Sequence, residues 1–197
     1  MPMKETIILA SRSKGRDEMF TEIGLPHICI PTETDETTPW TDPLKEIEAL
    51  AVKKALQSHL DNRHRSEKWI AAADTVVLLD GKPIGKPGDI TEAESFLRRL
   101  SGREHLVLSG VAFMNRSTGQ ILSDSDTTSV KMAPLSEEEI KWYLSTGEWE
   151  GAAGAYRIQH KGALLVEKIN GSYSNVIGLP LRKFFTIIQK NYYPVGP

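Results

Sequence analysis

The sequence contains a single cysteine, Cys29, and no long apolar run. One cysteine excludes an intramolecular disulfide and any zinc site built from cysteines. So low a cysteine content is typical of proteins in reducing compartments. No apolar run approaches the roughly 18 residues that a membrane-spanning helix needs, and the opening residues do not resemble a signal peptide. We therefore expect a cytoplasmic protein without a membrane partner.

The chain also lacks an excess of charge of either sign. It has 24 basic and 26 acidic side chains, for a formal net charge of -2. Since this balance opposes nucleic acid as a partner, any phosphate must be bound by a local cluster of groups. The 197 residues, 40% of them hydrophobic, are enough for one sizeable domain or for two lobes that share a sheet.

Strand-like and helix-like segments alternate along the chain, with no internal repeat. Strands are predicted over residues 6–10, 69–79, 105–115, 120–132 and 164–169. Asp80-Gly81 predicts a tight hairpin turn. A helix is predicted to begin at Asp42-Pro43 and to bury Leu44, Ile47, Leu50 and Ala51. This mixture favours an α/β fold on a mixed sheet.

Sequence signals also mark where three later helices begin. Thr91 with Glu94 and Ser136 with Glu139 have the spacing of capping boxes, in which two side chains satisfy free backbone groups at a helix start. Gly178-Leu179-Pro180 predicts the start of the last helix.

The loop after the first strand combines small residues with cations. It holds Ser11, Ser13, Lys14, Gly15 and Arg16 just before a helix, although no Walker loop occurs in the chain. Backbone N–H groups at a helix start, with cations nearby, can bind a phosphate. An ordinary solvated turn explains the same residues, and the loop alone favours that simpler interpretation.

Asp74 interrupts an otherwise apolar predicted strand. A buried, unpaired carboxylate would cost several kcal/mol, so Asp74 must have a partner. The partner is either a structural one or a divalent cation with a phosphate behind it, and spacing does not decide between them. Glu33, Asp35 and Glu36 form an acidic loop that supplies a second ligand or is simply solvated.

Three later segments carry weaker signals. The hairpin turn returns Lys86 along the Asp74 strand, although a lysine in a turn is common. His105 opens a strand, where we expect a half-exposed structural residue. At the start of residues 151–159 the side chains are too small to pack a core. Either this segment lets a ligand approach closely, with the Gln159 amide recognising a base, or it is a glycine-rich connector.

Taken in order, these segments resemble the Maf family of nucleotide pyrophosphatases over nearly the whole chain. The matching motifs are Leu9-Ala10-Ser11-Arg12-Ser13 with Arg16, Asp35-Glu36, Lys54-Ala55, Ala73-Asp74-Thr75, Gly85-Lys86-Pro87, Leu100-Ser101-Gly102 with His105 and Val107, Ala153-Gly154-Ala155-Tyr156, Ile158-Gln159, Gly171-Ser172-Tyr173 and Gly178-Leu179-Pro180. The sequence departs from the family pattern at Lys14 and Gly15, where proline and arginine are expected.

The resemblance implies a single domain over residues 1–197 with a two-lobed α/β fold. A long mixed sheet flanked by helices, similar to that of the inosine triphosphatase-type enzymes, would hold an active cleft between the lobes. The implied reaction converts a nucleoside triphosphate and water to a monophosphate and pyrophosphate, with Mg²⁺ or Mn²⁺ as cofactor. A homodimer is also expected.

The resemblance also implies roles for individual residues. Glu36 and Asp74 are expected to hold the metal, and Asp74 to activate the attacking water. The expected substrate-binding residues are Ser11, Ser13, Gly15, Arg16, Lys54, Thr75, Lys86 and Gln159. Thr75 and Gln159 favour dTTP and UTP, whereas Gly15 is expected to weaken triphosphate binding or to shift the preference, with Lys14 or Arg12 substituting in part. Two alternatives remain: a non-catalytic nucleotide-binding regulator of cell division, and a pyrophosphatase for a modified nucleotide such as 7-methyl-GTP.

Overall fold

The computed structural model describes residues 5–194, which form an α/β fold on one mixed sheet. The strands are β1 (Ile7–Leu9), β2 (His27–Cys29), β3 (Trp69–Leu79), β4 (Lys82–Ile84), β5 (Glu104–Asn115), β6 (Ile121–Met132) and β7 (Val166–Asn170). Their order is β2-β1-β3-β5-β6-β7, with β4 paired to β3. Because β1 runs parallel to β2 and β3 while β4 and β7 pair antiparallel, the mixed sheet is confirmed.

Helices lie between these strands and, in the described part of the chain, also after β7. They are α1 (Lys14–Glu22), α2 (Pro43–Asp61), α3 (Ile90–Leu100), α4 (Glu137–Ser145), α5 (Tyr173–Ile177) and α6 (Leu181–Lys190). The predicted start of α2 is confirmed, with Asp42 as its cap, and so is the Ser136 capping box of α4. The predicted box at Thr91 is wrong, because the Asp89 side chain caps α3 two residues earlier by accepting from the Glu92 amide.

The chain divides into two compact units, and the division falls within β3 after Asp74. Unit 1 comprises the described residues up to 74, residues 109–126 and those from 178 onward; unit 2 comprises residues 75–108 and 127–177. The predicted single domain over 1–197 therefore stays a prediction. Among residues 5–194, no helix combines the length and the apolar character needed to cross a membrane.

Unit 1 packs α2 closely against the sheet. Ile47, Leu50 and Ala51 are buried as predicted, whereas Leu44 in the first turn is 41% exposed, so the buried stripe begins one turn later. A Cβ added to Gly110 of β5 would lie only 2.2 Å from the Ile47 carbonyl oxygen. Glycine is therefore required for the helix backbone to approach the strand this closely.

Unit 2 has its own core, to which the glycine-rich segment contributes. Ala155, Tyr156 and Ile158 are at most 5% exposed and belong to the cluster around Leu97. A Cβ on Gly154 would lie 3.2 Å from a methyl carbon of Val77, and Gly154 has a positive φ of 71°. The expectation that the start of this segment is too small to pack a core is thus wrong, because Ala152 is 7% exposed and Gly154 packs against Val77.

Candidate active site

Asp74 lies in the middle of β3 and is 8% exposed. Its partner includes a basic side chain, because Lys54 Nζ donates a hydrogen bond to Asp74 Oδ1 at 3.0 Å. The same ammonium lies 2.6 Å from Glu36 Oε1. Two carboxylates thus share one largely buried cation, which offsets the cost of removing the Lys54 and Asp74 charges from water, while the Glu36 side chain is 50% exposed.

The position of Lys54 follows from the helix that carries it. Lys54 is seven residues after Ile47, so helical periodicity places it on the buried stripe of α2. The close approach at Gly110 presses this stripe against the sheet, and the Lys54 side chain is only 10% exposed. Helix packing in unit 1 therefore directs the ammonium toward Asp74.

The loop after β1 is folded around its own polar groups. Ser13 caps α1 by accepting a hydrogen bond from the Arg16 amide, and the Ser13 amide donates to Ser11 Oγ at 3.1 Å. Arg16 is buried, with Nη1 donating to Ser11 Oγ at 3.2 Å and Nε to the Gly178 carbonyl at 2.8 Å. The interpretation as a solvated turn is therefore wrong for these residues.

Arg16 belongs to the same electrostatic cluster as the two carboxylates. Burial lowers the pKa of Arg16 from its ordinary value, and the negative charges of Asp74 and Glu36 partly offset that effect. Two cations, Arg16 and Lys54, thus balance two carboxylates in unit 1. Such a preorganised group of charges can bind a phosphate and a divalent ion without first repelling either.

The acidic loop contributes one residue to this cluster and directs two others elsewhere. Glu33 pairs with Arg12 at 2.7 Å on the surface, and Asp35 Oδ2 lies 3.7 Å from Lys53 Nζ. Glu36 alone of the three acids has an ion pair with Lys54 among the pairs formed by residues 5–194. All three residues are acidic, so it is the position of Glu36 in the loop that makes it the candidate metal ligand.

Three predicted substrate-binding residues lie in unit 2. Thr75 follows Asp74 on β3, Lys86 lies in the exposed turn after β4, and Gln159 precedes a short 3₁₀ segment. The Gly154 amide donates to the Gly85 carbonyl at 2.9 Å, which joins the Lys86 turn to the glycine-rich segment. Lys14 and Gly15 lie in the first turn of α1, where Gly15 is buried.

Comparison with known proteins decides the family. The family described as Maf-like protein matches residues 6–191. The chain belongs to the Maf family. It is 40% identical to a dTTP/UTP pyrophosphatase of Symbiobacterium thermophilum over 97% of this chain and 96% of that protein. A relative of the same name from Dictyoglomus thermophilum is also 40% identical, with 97% and 98% of the two chains covered.

Sequence reasoning missed one buried polar pair of this Maf chain. His105 is 2% exposed rather than half exposed, with Nε2 lying 2.7 Å from the Tyr156 hydroxyl. Burial lowers the pKa of His105 to about 4. The alternation of inward residues along β5 was the available signal, because Val107, two positions on, was an evident core residue. The pair anchors the segment that leads to Gln159.

A second missed group supports the neighbouring strands of this Maf chain. Asn175 lies in α5, a short helix that the sequence did not predict, and is fully buried. Its Nδ2 donates to the Val107 carbonyl and to Thr128 Oγ1, both at 3.0 Å. The signal in the sequence was an asparagine four residues after Gly171, and asparagine near glycine is typical of many loops.

Proposed function

We propose that this Maf chain hydrolyses dTTP and UTP to the monophosphate and pyrophosphate. Two relatives that bear the name dTTP/UTP pyrophosphatase align with 97% of this chain at 40% identity. The observation that carries the proposal is the cluster in which Asp74 and Glu36 share the Lys54 ammonium, with the buried Arg16 in the same field.

A divalent cation, Mg²⁺ or Mn²⁺, fits the donors that this cluster offers. Glu36 and Asp74 present hard carboxylate oxygens, both within 3.0 Å of the Lys54 nitrogen, so the two acids already converge on one positive charge. We assign these two residues as its protein ligands. When bound, the ion would neutralise charge on the phosphate oxygens.

The chain's own residues supply the remaining chemistry. Asp74 accepts the proton from the attacking water as its oxygen bonds to the α phosphorus. The bond from that phosphorus to the bridging oxygen breaks, and its electron pair leaves with pyrophosphate. Arg16 and Lys54 neutralise the leaving charge, while the loop from Ser11 to Ser13 donates hydrogen bonds to phosphate oxygens.

Three further substrate-binding residues that we propose lie in unit 2. Lys86 binds phosphate oxygens, and Thr75 with Gln159 favours a pyrimidine base. The hydrogen bond from Gly154 to Gly85 and the buried pair of His105 with Tyr156 support this assignment, because they fix the backbone on which Lys86 and Gln159 lie. At Gly15 the phosphate loop lacks the arginine of the family pattern, which weakens triphosphate binding or shifts the substrate preference, with Lys14 or Arg12 substituting in part.

Replacing one carboxylate tests the assignment of the base. Asp74→Asn keeps the shape but cannot accept the proton, so we expect pyrophosphate release from dTTP to fall by at least about 100-fold. Asp35→Asn is the matched control, since Asp35 is an exposed acid paired with Lys53, and its rate should match that of the unaltered chain. An Asp74→Asn protein with a native circular dichroism spectrum and undiminished turnover would refute the assignment.

A further inference from the structure

Three side chains of different chemistry meet outside the cluster around Asp74. Asp17 lies on α1, and His27 and Cys29 lie on the edge strand β2. Asp17 Oδ1, His27 Nε2 and Cys29 Sγ all lie within 4.8 Å of one another. Because His27 and Cys29 are two residues apart on a strand, they point to the same side of it, toward Asp17.

The hydrogen bonds of His27 indicate a place for a cation. Its Nδ1 lies 2.8 Å from the Leu25 carbonyl and its Nε2 lies 2.7 Å from Asp17 Oδ1. A carbonyl only accepts, so the Nδ1 proton must point to it, and a neutral imidazole has no second proton for Nε2. In that form Nε2 presents a lone pair toward Asp17, on the side where a metal ion would bind. A histidine held by a backbone carbonyl is typical of metal ligands.

The separations between the candidate ligand atoms are shorter than those of a zinc site. Tetrahedral Zn²⁺ with bonds of about 2.1 Å to nitrogen and oxygen and 2.3 Å to sulfur separates nitrogen from oxygen by about 3.4 Å and sulfur from oxygen by about 3.6 Å. The corresponding separations are 2.7 Å and 3.3 Å. The Asp17 side chain is 53% exposed, so rotation of its carboxylate can supply the small expansion.

We propose that Asp17, His27 and Cys29 bind one Zn²⁺ ion or a similar soft divalent cation, with water as the fourth ligand. A carboxylate, a thiolate and a neutral imidazole would make the complex electrically neutral, and a thiolate selects zinc over magnesium. The thiol proton is released to solvent as the sulfur–metal bond forms. The exposed position of Cys29 at the sheet edge leaves room for the water.

The site would join the catalytic loop to the sheet edge. Asp17 directly follows Arg16 in the first half of α1, while β2 pairs with β1 in register from Ile7 to Leu9. An ion bound to both elements would stabilise α1 at the turn that Ser13 caps. This consequence requires only the fold of unit 1 and holds whether or not the proposed reaction is correct.

Cobalt offers a direct test, because Cys29 is the only cysteine in the chain. Co²⁺ bound by a thiolate absorbs in the near ultraviolet, and Cys29 is the only residue that can supply a thiolate. A methionine thioether is a much weaker ligand for the ion. We expect titration of the whole protein with Co²⁺, in excess Mg²⁺ to occupy carboxylate sites, to give this band at one equivalent, and Zn²⁺ to abolish it.

Variants separate a three-ligand site from a lone thiol. Cys29→Ser should remove the band, whereas Asp17→Asn and His27→Gln should each weaken Co²⁺ binding by at least about tenfold. Glu22→Gln is the control, an exposed acid on the same helix, and should bind as the unaltered chain does. No band, or a band of unchanged affinity in both Asp17→Asn and His27→Gln, would overturn the proposal.

Discussion

Asp74 shows how a single buried charge is stabilised and made available for chemistry. Its carboxylate is 12% exposed and its cation, Lys54, 10% exposed, so neither group is well solvated. The ion pair therefore offsets part of the cost of burying the two charges. The sequence predicted that Asp74 must have a partner, but not which one, because Lys54 is 20 residues away along the chain and on a different element.

Removing the cation should therefore destabilise the fold. Lys54→Met leaves two carboxylates without their shared ammonium, and we expect the free energy of unfolding to fall by about 3 kcal/mol. Lys53→Met is the matched control, because its partner Asp35 is 70% exposed and well solvated, and it should unfold at the same urea concentration as the unaltered chain. Equal midpoints for the two variants would contradict this account.

His105 should make stability depend on pH. Its pKa is lowered from 6.5 to about 4 by burial, so the unfolded chain takes up a proton at a higher pH than the folded one. Lowering the pH from 6.5 to 4 therefore reduces the free energy of unfolding by about 3 kcal/mol. Above pH 7, His105 does not make the free energy of unfolding depend on pH.

The contribution of this one histidine can be isolated by substitution. His105→Gln keeps a polar group near the Tyr156 hydroxyl but cannot titrate. In urea unfolding at a series of pH values, the variant should lose less stability than the unaltered chain below pH 6.5. Identical slopes for the two proteins would show that the buried imidazole does not govern this range.

At the scale of elements, the contact of α2 with β5 sets the position of Lys54. Gly110→Ala places a methyl group 2.2 Å from the Ile47 carbonyl oxygen, and this backbone atom cannot rotate away. We expect a loss of about 1–3 kcal/mol in stability and a lower rate of pyrophosphate release, because the helix must move and carries Lys54 with it.

Gly88→Ala provides the comparison for that substitution. A methyl group there meets only Glu92 Oε2, at an ordinary 3.5 Å, so stability and turnover should stay unchanged. Equal unfolding midpoints for the Gly110→Ala and Gly88→Ala proteins would contradict the proposed close approach.

Elements with a local signal were predictable, and those fixed by tertiary contacts were not. The bounds of β3 and the Asp42 cap followed from an apolar run and a capping residue. By contrast, the three-residue β2 is too short to produce a period, and α5 has only five residues. Asp89 caps α3 although Thr91 has the better spacing, because the chain enters the helix earlier.

For the whole molecule, composition and motif order predicted the α/β class and the family. The residues of the cluster in unit 1 could be selected because their motifs occur in the family's order, and the structure brings Glu36, Lys54 and Asp74 together. The roles of Thr75, Lys86 and Gln159, the metal and the homodimer stay predictions, since none follows from packing within one unit.

Hydrolysis of dTTP in heavy-oxygen water tests the central claim most directly. If water attacks the α phosphorus, the labelled oxygen appears in the monophosphate and the released pyrophosphate is unlabelled. Among the common nucleoside triphosphates, we expect UTP to give the same labelling pattern as dTTP. Label in pyrophosphate, release of inorganic phosphate instead, or binding of dTTP without turnover in the presence of Mg²⁺ or Mn²⁺ would contradict it.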